Sequence, residues 1–491
     1  MRLARVVPTA GLVLSVAAIA ACHDSPVTPT PILPDPPTPS AVDAVAPVAP
    51  ENVLSAHIFF TTTSAPDSVR VTLRENGGSI FTTPFRTGKS GADTIDVLGL
   101  MPATKYSYQV DAITGGSQRS STVSSFTTGD LPADLADVKM ATISGTASRY
   151  AVTGVQTASG GYAVAFDNSG AIVWYHDFTS TGLQVSDVMM QPNGNFTAFI
   201  GNTSGFQALQ GYYAEFTPGG REVRTYSAPS GYYMDDHEIR LTGEGTDMRA
   251  HYITYSIESQ DLTYMGGQSN VALAGHQIVR QNDAGLVEFN WNAWDRIEVD
   301  EWLGDDAAKQ TRTATDFNHP NAISFDNSGN YIISWRNLNQ IMAIDSQTGD
   351  ILWRLGGANG QYDFVNDPLG GFSKQHSPKI LPNGNLLVYD NGTEHSPQET
   401  RVVEYKLDHL AKTATMVWQY HHDPAIYTAF VGWVERLANG NTWVGFSLAG
   451  RAVEVSPAGA VVWESQLKVN GSNAFVYRLL PVASLYHYVA P

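Results

Sequence analysis

Apolar runs in the C-terminal part of the chain, residues 130–491, follow tight turns at a long and nearly regular spacing. Each clear unit has a turn and then an apolar strand that ends in an aromatic residue, as in DNSGAIVW at 167–174 and SPAGAVVW at 456–463. A second turn recurs between these units, for example PNGN at 192–195 and 382–385. Asn-Gly between alternating apolar runs favours a β-hairpin. Two hairpins per unit predict a β-propeller, with six blades as the best count and room for a distorted seventh.

Residues 51–128 show a different pattern of short alternating strands, such as SVRVTLREN and KYSYQVDAIT. Within them, LGLMPATKYSYQV resembles the Leu-x-Pro-x-Thr-x-Tyr corner of fibronectin type III modules through Leu100, Pro102, Thr104 and Tyr106. We therefore expect an Ig-like β-sandwich of roughly 80 residues before the propeller. No helical periodicity of any length is visible, so the predicted fold class is all-β.

The first 50 residues resemble neither domain. The chain begins with Arg2 and Arg5, continues with an apolar stretch and has small residues before Cys22. This resembles a bacterial lipoprotein signal, which implies removal of residues 1–21 and a lipid anchor on Cys22; the alternative is an ordinary secretory signal. Residues 22–50 are rich in Pro, Thr and Ala, a composition typical of an extended tether. The sequence thus predicts a lipid-anchored protein of the bacterial cell envelope, facing the periplasm or the cell surface.

The formal net charge of the 491-residue chain is −18. Such a charge argues against nucleic acid as a partner, because phosphate backbones require a basic surface. An anionic substrate would need a locally positive pocket on this acidic protein. Cys22 is the only cysteine, which excludes an intramolecular disulfide. After the leader, no apolar run approaches the roughly 20 residues of a transmembrane helix.

Histidines recur at one register of the predicted hairpins. Eight residues before the turn glycine of three hairpins stand His237, Asn321 and His376. His319 lies two residues before Asn321, on the same face of the strand because side chains alternate. The first strand of each propeller blade lines the central channel. We therefore expect these side chains to meet at one end of that channel.

Arg336 extends this predicted cluster. It lies seven residues after Gly329, where the returning strand is level with Asn321, and residues equidistant from a tight turn lie side by side. The equivalent residue of the next hairpin is Asn391. The pattern predicts three imidazoles, a guanidinium and an amide with no carboxylate at equivalent positions. Such a set suits an anion and predicts no metal site.

From the residues alone, several interpretations stay open. Each single histidine could be an ordinary hydrogen-bonded structural residue. The protein could be an enzyme, a non-catalytic module that binds an anionic ligand, or a metalloenzyme, since three imidazoles can hold zinc. The aromatic residues near the strand ends either stack on an aryl ligand or pack the blades; they are Tyr232, Tyr233, Trp335 and Phe372.

At these residues the chain resembles the bacterial PAPS-independent arylsulfate sulfotransferases, which have a small N-terminal sandwich and a six-bladed β-propeller. The matching segments are DDHEIRL at 235–241, DFNHPNAI at 316–323, SWRN at 334–337, LWRLGG at 352–357 and KQHSPKILPNGN at 374–385. The resemblance covers most of the region from 50 to 491. It implies transfer of a sulfuryl group from a phenolic sulfate ester to a phenolic acceptor, without a cofactor. Better-known members have a disulfide near the site, which this chain cannot form.

The resemblance also implies a role for each residue. His376 would be the nucleophile of a ping-pong mechanism and would be transiently sulfated. Arg336 and Asn321 would bind the sulfuryl oxygens, and either His237 or His319 would handle the proton. The implied partners are an aryl sulfate donor and a phenolic acceptor, together with a membrane through the lipid anchor. The sequence leaves the oligomeric state open, with a homodimer as one arrangement.

Overall fold

The computed structural model describes residues 37–45, 52–76, 78–202, 211–302 and 315–487 of the chain. Within these ranges no helix has the length and apolar character needed to span a bilayer. The protein is all-β, as predicted, and short 3₁₀ turns occur between its strands at Ala133–Leu135, Thr179–Thr181, Gly245–Asp247, Thr263–Met265, Ala293–Asp295, Val299–Glu301 and Ser447–Ala449.

The N-terminal part is a sandwich of two antiparallel sheets. Its strands are Ser40–Val45, Ser55–Thr62 and Gly91–Leu98 in one sheet, and Ser68–Glu75, Ile80–Thr82, Arg86–Thr87, Lys105–Thr114, Ser117–Ser120 and Ser124–Thr127 in the other. Because side chains alternate along a strand, one face of each sheet is buried. Val69, Val71 and Leu73 are examples from the second sheet. At the predicted corner the Met101 N–H donates to the Tyr106 hydroxyl at 2.9 Å. The relation to Ig or fibronectin modules in particular stays a prediction.

The predicted tether, residues 22–50, is wrong at its C-terminal end, where Ser40–Val45 pairs with Ser55–Thr62 as a strand. These six residues contain no proline, so every backbone N–H can join the sheet. The prediction missed this strand because it was based on the average composition of residues 22–50. The predicted signal peptide and Cys22 lie outside the described residues, so the lipid anchor and the envelope location stay predictions.

Six antiparallel sheets follow, and each has a four-stranded meander as its centre. Numbered along the chain and given from the channel outwards, the first three blades are Leu480–Val482, Tyr150–Gln156, Gly161–Phe166 and Ile172–Asp177; Gln184–Met190, Phe196–Gly201, Gly211–Phe216 and Glu222–Tyr226; and Tyr233–Thr242, Arg249–Gln260, Val271–Asn282 and Val287–Asn292. The short strand Thr315–Asp316 adds to the third strand of blade 3 in parallel.

The remaining three blades complete the predicted six-bladed propeller. Their strands are Pro320–Phe325, Tyr331–Trp335, Gln340–Ile344 and Ile351–Gly356; His376–Ile380, Leu386–Asp390, Arg401–Asp408 and Thr413–His421, with Asp363–Val365 at the edge; and Trp433–Arg436, Thr442–Phe446, Arg451–Val455 and Val461–Val469, with Ser472–Asn473 at the edge.

The two ends of the propeller sequence close the ring. Leu480–Val482 is the innermost strand of blade 1, although it comes from the C-terminal end of the chain. Conversely, Val138–Gly145 pairs with the outermost main strand of blade 6, Val461–Val469. Each end thus completes a blade begun by the other, and the pairing covers edges that would otherwise be exposed.

In two of the repeats, the aromatic residue that ends the motif joins neighbouring blades. The indole N–H of Trp174 donates to the Pro218 carbonyl at 2.7 Å, and that of Trp418 donates to the Pro457 carbonyl at 3.0 Å. Both acceptors lie in the turn that opens the same motif one blade further on. The sequence repeat therefore corresponds to a contact that links blades.

The innermost strands all run in one direction along the channel. They begin at the end that we call the upper mouth, near Ser186, His237 and Val431, and finish at the lower mouth, near Met190 and Arg240. Near the upper mouth, four of these strands leave the regular ladder register. The side chains at these irregularities are therefore aimed by local backbone geometry as well as by strand alternation.

Candidate active site

A cavity of about 440 Å³ opens at the upper mouth. One side is polar and includes Asp235, Asp236, His237 and His319. The remaining lining residues are mostly apolar or amide-bearing: Gly154, Gln156, Gln184, Val185, Ser186, Val431, Phe475, Val476 and Tyr477. The cavity thus combines an apolar wall with a group of ionisable side chains.

His376 lies at the start of the innermost strand of blade 5 and is buried. Its Nδ1 is 2.6 Å from the Oδ1 of Asn391. The Asn391 amide nitrogen donates to the carbonyls of Thr428 and Val431, which leaves its oxygen facing the imidazole. Nδ1 must therefore carry the hydrogen, and Nε2 carries the lone pair. The backbone N–H of Val431, a residue that lines the cavity, donates to this Nε2 at 3.2 Å.

The electrostatic surroundings keep His376 neutral. Burial lowers the pKa of its imidazole well below the usual value of 6.5, and the positive charge of Arg336 lowers it further. His319 and His237 also lie close enough to contribute to the same shift. The structure therefore brings all three predicted histidines and the guanidinium into one group, in which His376 is unprotonated.

Arg336 follows the second strand of blade 4, and hydrogen bonds fix one side of its guanidinium. Its guanidinium donates to the Asn337 Oδ1 at 3.0 Å and to the Ala429 carbonyl at 3.1 Å. Its buried Nε has no hydrogen-bond partner in the part of the chain that the structure describes. The Arg336 backbone N–H donates to the His319 carbonyl at 2.9 Å. The predicted neighbour was Asn321. The regular ladder already places Arg336 one residue further along, and a register shift between Pro320 and Ala322 adds the second residue.

His237 is paired with a carboxylate. Its Nδ1 is 2.7 Å from the Oδ1 of Asp235, which also accepts the His237 backbone N–H at 2.9 Å. Burial alone would lower the pKa of His237, but Asp235 and Asp236 outweigh this effect and raise it to about 9. His237 is therefore an imidazolium at neutral pH and can donate a proton from Nε2.

Unlike His237, His319 is uncharged at neutral pH. Its Nδ1 contacts the Asp316 carboxylate, and its ring meets that of His237 edge-to-face at 4.4 Å between centroids. Burial lowers the pKa of His319 to about 4 despite Asp316, with the charges of His237 and Arg336 acting in the same direction. Its φ of +46° is a left-handed conformation that costs on the order of 1–3 kcal/mol in a non-glycine residue, as is typical of functional sites.

A fourth histidine, His276, was not predicted from the sequence. It is buried on the third strand of blade 3, with Nε2 3.5 Å from Asp235 and Nδ1 2.7 Å from the Asn318 Oδ1. Asp316 lies 3.8 Å from the same Nδ1 and, with the other acceptors, keeps the pKa of His276 above its usual value despite burial. His276 does not occupy the hairpin register that identified the others, so no sequence signal marked it.

Asn321 supports the site from below the cavity. It is fully buried, and its Nδ2 donates to the backbone carbonyl of Gln375, the residue before His376, at 2.8 Å. Its Oδ1 has no partner among the described residues. The bond ties blade 4 to blade 5 next to His376. Direct contact between Asn321 and a sulfuryl oxygen stays a prediction.

The predicted set had no carboxylate at the equivalent hairpin positions, but three carboxylates lie beside the histidines. They are Asp235 and Asp236, in the irregular stretch between Met234 and Ile239, and Asp316, at the end of the short strand Thr315–Asp316. Ligand atoms of Asp235, Asp236 and His237 lie within 4.8 Å of one another. We do not assign them as metal ligands, since the Asp235 Oδ1 already accepts two hydrogen bonds from His237.

The family of the chain follows from its sequence match. A family model described as Arylsulfotransferase (ASST) matches residues 136–478, which is well over half of the chain. The chain belongs to the arylsulfotransferase family. As a member it is a sulfotransferase, with an aryl sulfate as donor and a phenol as acceptor.

Solved structures resemble this arylsulfotransferase only weakly. A protein of unknown function from Bacteroides caccae matches at 15% identity and a TM-score of 0.42, over 71% of this chain and all of its own. A streptogramin B lyase matches at 10% identity and a TM-score of 0.36, over 70% and 92%. A virginiamycin B lyase from Staphylococcus aureus gives 12% and 0.27, over 57% and 73%. No curated protein matches the chain significantly.

The apolar wall of the cavity suits the aryl substrates of an arylsulfotransferase. Phe475 and Tyr477 line it, and both were missed because they follow the last motif of the sequence. Of the aromatic residues considered from the sequence, Trp335 and Phe372 are buried in blade cores. Tyr233 instead stacks on Tyr255 at 5.2 Å. Blade packing therefore accounts for Trp335 and Phe372.

Proposed function

We propose that this arylsulfotransferase transfers the sulfuryl group through a covalent intermediate on His376, in a ping-pong sequence. One observation carries the proposal: the fixed amide of Asn391 holds the hydrogen of His376 on Nδ1, so that the lone pair of Nε2 points toward a residue of the cavity wall. A buried, neutral imidazole with a directed lone pair is a competent nucleophile.

In the first half-reaction, the Nε2 lone pair of His376 attacks the sulfur of the aryl sulfate. A bond forms between Nε2 and sulfur, while the bond from sulfur to the aryl oxygen breaks and its electron pair leaves on the phenolate. Negative charge is spread over the three sulfuryl oxygens during this step. Arg336 can meet two such oxygens in a fork. The Val431 N–H, released from Nε2, faces the same group.

Of His237 and His319, His237 is the better candidate for the residue that donates a proton to the leaving group. It is protonated at neutral pH, whereas the low pKa of His319 leaves that imidazole neutral and therefore a much weaker acid. His237 donates its proton to the departing phenolate and is then neutral. In the second half-reaction it takes the proton of the acceptor phenol, whose oxygen attacks sulfur, and the electron pair of the N–S bond returns to His376.

The test of this function is a two-substrate assay with a chromogenic aryl sulfate and a second phenol. The proposal predicts a sulfated second phenol and parallel double-reciprocal lines, as a ping-pong sequence requires. Activity should survive treatment with a metal chelator. A binding module would give saturation without turnover, and a metalloenzyme would lose activity with chelator; either result contradicts the proposal.

The pH dependence tests the role of His237. Below pH 9 its acid form is present, and above about 9 it loses the proton that the leaving group needs. We therefore expect kcat/KM for the donor to fall about tenfold per pH unit above pH 9, since this parameter reports the free enzyme. The neutral form of His376 persists well below pH 6.5, so no loss of the nucleophile is expected near pH 6.

Two variants control the pH experiment. Asp235→Asn removes the charge that raises the pKa of His237, so the alkaline limb should move to lower pH. His237→Gln should remove the limb and lower the rate throughout. An alkaline limb that stays near pH 9 in both variants would assign it to another group and contradict this role.

Phe475 tests recognition of the aryl group. We expect Phe475→Ala to raise the KM for the donor roughly two- to tenfold, the range expected for loss of one aromatic contact. kcat should change little, because the ring would contact the aryl group equally before and during transfer. Phe59→Ala is the matched control, since Phe59 is 38% exposed in the N-terminal sandwich. An unchanged KM in the Phe475 variant would contradict the contact.

A further inference from the structure

A second cavity, of about 110 Å³, lies at the lower mouth, where the innermost strands finish. It is separated from the active site by Arg478, whose guanidinium bonds to the buried carboxylates of Asp187 at 2.5 Å and Glu238 at 2.6 Å. The lining comprises Arg149, Met189, Met190, Arg240, Lys379, Trp433, Glu435, Leu437, Leu480, Pro481, Val482 and Ala483. We call this cavity the lower pocket.

The lower pocket is locally positive on an acidic protein. Arg149, Arg240 and Lys379, from blades 1, 3 and 5, face it together with a single carboxylate, that of Glu435. The whole chain has a formal net charge of −18. Three cations converging from separate blades are therefore a built feature of the fold, because no local sequence run supplies them.

Trp433 holds the positive side chains together. The Lys379 Nζ lies 3.9 Å from the centroid of its ring, and the Arg240 guanidinium lies 5.3 Å from it. Arg478 approaches the same ring at 4.9 Å. Cations over an indole face are attracted by its quadrupole, but this attraction leaves their hydrogen-bond donors unused.

The carboxylates available satisfy these cations only in part. Arg240 pairs with Glu238 at 2.7 Å, but Glu238 is shared with Arg478. Lys379 has Glu435 as its ion-pair partner at 3.8 Å, which is beyond hydrogen-bond distance, and the same carboxylate accepts the Trp433 N–H at 2.9 Å. Arg240 also donates to the Ile323 carbonyl at 3.1 Å and to the Met189 sulfur at 2.9 Å. Within the described part of the chain, the Lys379 ammonium and the remaining N–H groups of Arg149 and Arg240 stay free to bind a ligand.

We propose that the lower pocket binds a small tetrahedral oxyanion, of the class of inorganic sulfate or phosphate. Its volume exceeds by several times the roughly 10–15 Å³ that a single water requires. Four acceptor oxygens match the forked donors of two arginines and the ammonium of a lysine. Burial and the nearby arginines lower the pKa of Lys379 to about 8 despite Glu435, and a bound anion would favour its charged form.

The experiment is calorimetric titration of the Arg336→Ala protein with inorganic sulfate and, separately, phosphate at pH 7. This background disables the anion site proposed at the upper mouth, so the remaining binding reports the lower pocket. We expect one site per chain for at least one of the two anions, and the tighter anion identifies the preferred class member. No binding of either at millimolar concentration would overturn the proposal.

Two further substitutions in the same background locate the site. Arg240→Met should weaken binding about tenfold or more, the scale of a lost charged hydrogen bond. Arg149→Ala should weaken it a few-fold, and it preserves the fold because Arg149 lies at the surface and donates only to the adjacent Ser148 carbonyl in the described structure. Binding unchanged by both would place the anion elsewhere and overturn the assignment. The outcome is independent of covalent transfer on His376.

Discussion

Replacing His376 by asparagine is expected to abolish sulfuryl transfer. The side-chain amide has no lone pair comparable to that of Nε2, so no N–S bond can form. Loss of the covalent nucleophile lowers kcat by roughly 10⁶-fold in a serine protease, and we expect a fall of about 10⁴-fold or more here. The measurement is release of phenolate from a chromogenic aryl sulfate in the presence of a second phenol, with the second product quantified by chromatography.

The effect of this substitution on stability must be measured separately from its effect on the chemical step. His376 is buried, and its loss leaves the Asn391 Oδ1 without a donor, at a cost of about 1–3 kcal/mol in the free energy of unfolding. Thermal unfolding should therefore shift while remaining cooperative. His57→Asn, in the exposed His57–Asp96 pair of the sandwich, should retain the full rate. A His376 variant that keeps turnover within about tenfold of the parent protein would remove the nucleophile assignment.

The second large effect is expected from Arg336→Ala, with a fall in kcat of about 10²–10³. Arg336 lies beside His376 with a buried Nε that has no partner in the described structure, so a group bound to Nε2 of His376 would meet a guanidinium already in position. The sulfate ester already carries its negative charge when it binds, but its three sulfuryl oxygens lie in a plane between Nε2 and the leaving oxygen only as the S–O bond breaks. The guanidinium is expected to bind them most strongly in that arrangement. The loss should therefore fall on kcat more than on KM.

Arg336→Lys distinguishes charge from geometry. It keeps the positive charge but loses the two-pronged donor, so we expect a rate between those of the parent protein and the alanine variant. Added guanidinium should partly restore the alanine variant and should not affect the lysine variant to the same degree. The exposed turn residue Arg221 supplies the control, and Arg221→Ala should change neither constant. A rise in KM alone for Arg336→Ala would mean that the guanidinium only binds substrate.

The propeller could be predicted from the sequence because its repeats are local. A turn such as DNSG fixes its own geometry, since the Asp167 Oδ1 accepts the backbone N–H groups of Ser169 and Ala171. In the motifs that end in Trp174 and Trp418, the aromatic residue then bonds to the turn of the next blade. Turn, strand and aromatic residue therefore recur together, whatever the remaining sequence of each blade.

The site was predicted in outline for the same reason, and its details depend on exceptions to strand alternation. Counting from the turn glycine located His237, His319 and His376 because each lies on an innermost strand or at its start. The count misplaced the neighbour of Arg336 by two residues, one from the regular register of the hairpin and one from the shift between Pro320 and Ala322. It did not include Asp235, which lies in the irregular stretch between Met234 and Ile239. Such irregularities depend on packing around the channel, which a single hairpin does not reveal.

His276, Phe475 and the lower pocket depend on contacts between distant segments. His276 meets the site only because Thr315–Asp316 pairs beside it, and Phe475 reaches the cavity only because the C-terminal strand closes blade 1. The sequence gives no spacing that links these positions. These groups come together only in the closed ring of blades.

The covalent step is tested most directly by mass spectrometry of the protein after brief mixing with an aryl sulfate and no acceptor. The peptide containing His376 should gain about 80 Da, the mass of SO₃, and should lose it when a phenol is added. The adduct should be absent from His376→Asn. Phenolate release in a full first turnover with no adduct on this peptide, or with the adduct on His237 or His319, would contradict transfer through His376.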